Sequence, residues 1–150
     1  MRSDRDNHFL LFSWCFMLSA LLLVVVATTL PNTSLAWLRA EYRWFGQPLN
    51  WIESHFAVVG LIHIMLFALL GGAASVALRH WPISLLLSLL VALAALSELV
   101  QFWIPGRTPR ISDFTADVVG AVVGVAVVWG GQWLWQWWQR ERVILPELSR

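Results

Sequence analysis

S-E-L-V-Q-F-W-I-P-G-R-T-P-R-I-S-D-F-T-A-D-V-V-G-A-V-V-G, residues Ser97–Gly124, is the stretch on which the rest of the chain turns. It begins near the end of one apolar run, crosses a polar turn at Pro105–Asp113 and enters a second apolar run. Glu98, Gln101, Asp113 and Asp117 lie along it, with Arg107 and Arg110 between them. Ionisable side chains inside membrane-type sequence are costly and need partners or water. On a helix, Asp113, Asp117, Gly120 and Gly124 fall at i, i+4, i+7 and i+11, which is one face. Ala94, Glu98, Gln101 and Pro105 share a face on the preceding run. A short turn makes two runs antiparallel neighbours, so the two faces are expected to meet.

Composition places this stretch in a membrane protein. The 150 residues are 59% hydrophobic and 13% charged, with a mean hydropathy of +0.67. A soluble domain carries about 25% charged residues. The length allows one domain, spanning 1–150. A net charge of +1 gives no case for nucleic-acid binding. All ten basic residues are Arg, which suits phosphate and carboxylate better than Lys does. Cys15 is the only cysteine, so an intramolecular disulfide and a cysteine metal cluster are excluded.

Four spans are predicted, at about 9–30, 56–78, 83–104 and 114–138. A run of about 20 residues crosses a hydrocarbon core of roughly 30 Å. The first run is longer than a signal-peptide core of about 7–15 residues. It is therefore expected to remain as a span, although Ser34 and Ala36 resemble a cleavage site. Pro31–His55 is expected to be a surface loop interrupted at Gly46 and Pro48, with Trp37, Trp44 and Trp51 as interfacial anchors. A lid over a site at the same surface is the alternative. The fold expected is all-α, an integral membrane four-helix bundle with both termini on one side. With the termini inside, six arginines (Arg2, Arg5, Arg79, Arg140, Arg142, Arg150) are cytoplasmic and four (Arg39, Arg43, Arg107, Arg110) are outside. That bias favours cytoplasmic termini.

This orientation gathers the polar residues at one depth. Glu98 lies about 9 Å from the outer end of the third span, Asp117 about 6 Å below Asp113, and His63 about 10 Å into the second span. Three spans thus place ionisable groups in the outer third of the membrane.

Ser97–Gly124 resembles the VanZ-like family of small bacterial membrane proteins. Glu98, Gln101, Phe102, Pro105, Arg107, Ser112, Asp113, Gly120 and Gly124 carry the resemblance, and His63 and Phe67 extend it. Asp117 stands where the family usually has Asn, and Val59 and Gly60 stand where it often has Asp-Lys. The founding member is associated with low-level teicoplanin resistance. The resemblance therefore implies an inner-membrane protein of the cell envelope with a link to glycopeptide susceptibility, and it implies no particular reaction.

Three readings of the polar layer follow from the residues. In the first, Glu98, Asp113 and Asp117 pair with Arg107 and Arg110 and pin the hairpin, as buried charges require. In the second, Glu98, Gln101, Arg107, Arg110, Asp113 and Asp117 form a site for an anionic outer-leaflet ligand. That ligand would be a membrane lipid or a lipid-linked envelope precursor, held by arginine forks and a helix N-terminus. In the third, Glu98, Asp117 and His63 carry acid/base chemistry on a lipid-linked phosphate, since two acids in a poorly solvated layer can separate in pKa. Glu98, Asp113, Asp117 and His63 also have the chemistry of metal ligands. Their spacing matches no metal motif, so no metal or cofactor is expected. The favoured function is non-enzymatic binding or shielding of an envelope ligand. A structural partner for another membrane protein is the remaining alternative.

Overall fold

The computed structural model describes residues 2–55 and 60–144. Among these are six helices and no strand: α1 Arg2–Thr29, α2 Asn32–Glu41, α3 Arg43–His55, α4 Leu61–Ala77, α5 Ile83–Gln101 and α6 Ile111–Ile144. Asn7–Thr29, Ile83–Gln101 and Ile111–Arg140 are long and apolar enough to cross a membrane. Helix α4 is apolar but shorter, at 17 residues. The expected second span began at residue 56, and 56–59 lie outside the described residues.

The surface is that of a protein solvated by lipid. Phe12, Leu22, Leu89, Leu99, Val122 and Val127 are exposed, while Ser13, Thr28, Ser75, Ser97, Glu98, Gln101 and Asp117 are buried. A water-soluble protein arranges these classes the other way. The buried hydroxyls are satisfied within their own helices: Thr28 donates to the Val24 carbonyl and Ser75 to the Gly71 carbonyl, both at 2.8 Å. Backbone and side-chain polar groups must find such partners where no water is present.

Helix α4 is the centre of the bundle, touching α1, α5 and α6, with its largest interface on α6. Small residues make that approach close. A Cβ added at Gly120 would collide with the Ile64 carbonyl, and one at Gly124 with the Ala68 carbonyl. The Gly120/Gly124 pair therefore packs within the bundle, against α4. This corrects part of one expectation: the face carrying Asp113, Asp117, Gly120 and Gly124 was expected to meet α5, and it does so at Asp117 but not at the glycines. The glycines admit the α4 backbone, so α4 takes the face there and α5 packs to its side. Around this contact Phe67, Leu70, Ala73 and Ala74 of α4 join Ala20 and Val24 of α1, Leu86, Leu90 and Ala94 of α5, and Ala121 and Val125 of α6.

Contacts define the bundle's two ends. Arg79, after α4, lies over the Phe9 ring near the start of α1, 5.8 Å from its centroid. At the opposite end Arg107 reaches the C-terminal carbonyls of α1. The Asn32 amide also donates to the Gly106 carbonyl there. Helix α6, with 34 residues, is about 51 Å long, well beyond a hydrocarbon core of about 30 Å. Its far turns carry the exposed Trp133, Trp135, Trp137 and Trp138.

Pro31–His55 is helical, not the loop expected. The break falls at Tyr42, and Pro48 sits inside α3. Buried Gly46 lies against the Arg39 carbonyl, so it serves the packing of α3 on α2 and does not end a helix. Trp37, Trp44 and Trp51 are exposed, as interfacial anchors would be.

The α4–α6 contact gives the first prediction. Gly124→Ala is expected to destabilise the protein by about 1–3 kcal/mol, the usual cost of overpacking. Gly131→Ala is expected to be neutral or slightly stabilising, because nothing lies within 4 Å of a Cβ there and Ala favours helix over Gly. Thermal unfolding in detergent, followed by tryptophan fluorescence, measures both. Equal effects at the two positions would contradict this packing.

Candidate functional site: a buried polar layer

Helix α5 ends where its polar side chains begin. Pro105 follows Gln101 by four residues and cannot continue a helix. Helix α6 starts at Ile111, with the backbone N–H groups of Asp113 and Phe114 donating to the Arg110 carbonyl. Glu98 joins the two helices: its Oε2 accepts the backbone N–H of Arg110 at 2.8 Å.

Asp117 is fully buried, at 0% exposure. His63 Nδ1 donates to Asp117 Oδ1 at 2.9 Å, since a carboxylate acceptor fixes the proton on that nitrogen. Ser97 Oγ lies 3.3 Å from Asp117 Oδ2, and its single proton is shared between that oxygen and the Ala94 carbonyl at 2.8 Å. One carboxylate thus ties α4, α5 and α6 together. The His63 side chain is 17% exposed, so the layer is not sealed. One ligand-capable atom from each of His63, Glu98 and Asp117 lies within 4.8 Å of the other two. Two polar atoms of the layer have no hydrogen-bond partner: Glu98 Oε1 and Gln101 Nε2, on side chains 7% and 2% exposed.

The arginines behave differently from the pairing expected. Arg107 donates through Nε to the Leu30 carbonyl at 3.1 Å and through Nη2 to the Ala27 carbonyl at 2.9 Å. The last carbonyls of a helix are unsatisfied and partly negative, so they attract a cation. Burial lowers the Arg107 guanidinium from its ordinary pKa. Arg110 is exposed and meets Glu98 only through its backbone. Asp113 is half-buried and accepts from Ser112 Oγ at 3.2 Å. Among the described residues, the expected ion pairs of Glu98, Asp113 and Asp117 with Arg107 and Arg110 do not form.

The structure therefore brings together His63, Glu98 and Asp117, with Gln101 on the same α5 face. It sets Arg107 against α1 and leaves Arg110 and Asp113 at the mouth. Ser97 was missed in the sequence, although it lies three residues after Ala94 on the same stripe. The Ala27 and Leu30 carbonyls had no sequence signal, because any residue supplies a carbonyl.

An apolar exterior around a buried acidic and imidazole layer defines a helical membrane protein with a polar centre. The chain belongs to the VanZ/LLP1 family, whose model matches residues 14–136. That match runs from α1 into α6 and includes every residue of the layer. No curated protein and no solved structure matches the chain.

His63 and Asp117 are expected to be strongly coupled. In a double-mutant cycle of His63→Gln and Asp117→Asn, the interaction energy should reach about 1–3 kcal/mol. Arg107→Gln should cost about 1.5–3 kcal/mol through its lost charged hydrogen bonds, and its coupling to Glu98→Gln should be the smaller of the two. A larger Glu98–Arg107 term would restore the ion pair and contradict the geometry.

Proposed function

We propose that this VanZ-like protein sits in the bacterial cytoplasmic membrane and captures an anionic envelope ligand at the α5–α6 turn. The ligand chemistry is a phosphate group, carried by an outer-leaflet lipid or by a lipid-linked envelope precursor. One observation carries the reading. Arg110 presents an exposed guanidinium at the start of α6 while buried Glu98 anchors its backbone. A guanidinium fork and a helix N-terminus both favour phosphate. Arg107 gives its Nε and one Nη2 donor to the end of α1, so only its remaining donors could join Arg110 at the ligand. Through sequestration of such a precursor the protein would alter glycopeptide (teicoplanin) susceptibility, as the family resemblance implies.

The His63–Asp117 hydrogen bond favours a second reading, in which the same ligand is a substrate. A base held by a carboxylate is the arrangement used in proton transfer. In that reading His63, oriented by Asp117, is the base and Glu98 the acid on a lipid-linked phosphate.

Mass spectrometry of lipids retained by the purified protein separates these outcomes and the two ligand sources. Wild type should retain a phosphate-bearing lipid, depleted several-fold in Arg110→Ala. Equal retention by the two proteins would overturn the capture reading. Conversion of the retained lipid by wild type, and not by folded Glu98→Gln, would establish the enzymatic one.

Topology is tested separately. Both termini are proposed to be cytoplasmic, from the arginine bias, with the α5–α6 turn outside. In a Cys15→Ser background, an impermeant thiol reagent should label Thr108→Cys and spare Ser3→Cys in intact spheroplasts. The reverse pattern would invert the orientation.

A further inference from the structure

We propose that His63, Glu98 and Asp117 hold a divalent first-row cation, zinc or manganese, inside the bundle. This goes beyond ligand capture at the turn and stands without it. The argument begins with charge. Glu98 and Asp117 are 7% and 0% exposed, in a helical layer of membrane-type sequence. Two carboxylates there need compensation, and an uncompensated buried charge is strongly destabilising. Neither arginine of the turn forms an ion pair with them: Arg107 hydrogen-bonds backbone carbonyls, and the Arg110 side chain is exposed. A neutral His63 leaves two negative charges, which a divalent cation cancels.

The donor set agrees with this. One imidazole nitrogen and two carboxylates suit zinc, manganese or iron, and the set has no soft sulfur ligand. Their atoms lie within 4.8 Å of one another. Ligand atoms around such an ion, each about 2.0–2.2 Å from it, stand roughly 3–4 Å apart. Small side-chain rotations close the set, with His63 Nδ1 releasing its proton and exchanging its hydrogen bond to Asp117 for a bond to the ion.

The second observation concerns the hydrogen bonding of the layer rather than the spacing of its ligand atoms. Glu98 Oε1 is buried and has no hydrogen-bond partner, while Oε2 is held by the turn. Buried polar atoms in native structures nearly always have a partner. A carboxylate fixed through one oxygen, with the other unpaired beside an imidazole and a second carboxylate, is placed as a metal ligand is. Gln101 Nε2 is unpartnered on the same α5 face. A half-turn of its terminal amide exchanges oxygen and nitrogen, which would place an acceptor in that buried position. His63 keeps 17% of its side chain exposed, which leaves the ion a route in.

The test uses the full chain, purified in detergent and stripped with a chelator. After addition of zinc or manganese and desalting, bound metal is counted by plasma mass spectrometry. Wild type should retain about one ion per chain. Glu98→Gln and His63→Gln should each weaken binding ten-fold or more, while His80→Gln, beyond the far end of α4, should bind as wild type does. Absence of retained metal in wild type would overturn the proposal, as would undiminished binding by folded Glu98→Gln. If the variants fail to fold, cobalt added to stripped wild type decides. A visible absorption band typical of mixed nitrogen and oxygen ligation supports the site, and a spectrum identical to cobalt in detergent alone refutes it.

Discussion

The hydrogen bond between Asp117 and His63 is the interaction on which this structure depends. It is part-buried, with the Asp117 side chain fully enclosed, and joins the two helices with the largest interface in the bundle. It forms only because α4 and α6 approach closely, and that approach depends on Gly120 and Gly124 having no side chain. Removing a glycine would therefore act on the site as well as on packing. Ser97 adds α5 to the same carboxylate, and Glu98 adds the turn. The polar layer and the fold are one construction.

Arg107 shows how a neighbouring structural need can take a group away from a plausible site. Three carboxylates and two arginines around one turn suggest ion pairs. The open carbonyls at the end of α1 offer Arg107 two strong acceptors without a second buried charge. The α1 end and the α5–α6 turn are thereby locked together, and the carboxylates of the layer are left to His63, Ser97 and the backbone N–H of Arg110. No arginine side chain pairs with these carboxylates, which is the physical basis for placing a cation within the layer.

Much of this was legible in the sequence. The apolar runs at 9–30, 83–104 and 114–138 became α1, α5 and α6 with small shifts at their ends, because length and hydropathy alone specify a spanning helix. The common depth of His63, Glu98 and Asp117 followed from counting residues along helices, and the three do converge. Periodicity identified the face of α6 and half of its surroundings: Asp117 reaches α5 through Ser97 as expected, while Gly120 and Gly124 admit the α4 backbone instead. Pro31–His55 misled for a related reason. Gly46 and Pro48 read as breakers, yet a tight α2–α3 packing uses the glycine and α3 tolerates the proline. The Arg107 contacts were beyond reach because their acceptors are main-chain atoms.

The central claim, that His63 and Asp117 meet inside the bundle, can be measured directly in lipid bilayers. Solid-state nuclear magnetic resonance with labelled histidine nitrogens and aspartate carboxyl carbons reports their separation by dipolar dephasing, with His63→Gln assigning the signal. The structure predicts a histidine nitrogen within hydrogen-bonding reach of a carboxylate, at a nitrogen–carbon distance of roughly 4 Å or less, lost in His63→Gln. Dephasing that places every histidine nitrogen beyond about 6 Å from any aspartate carboxyl, outside hydrogen-bond geometry, would contradict the account.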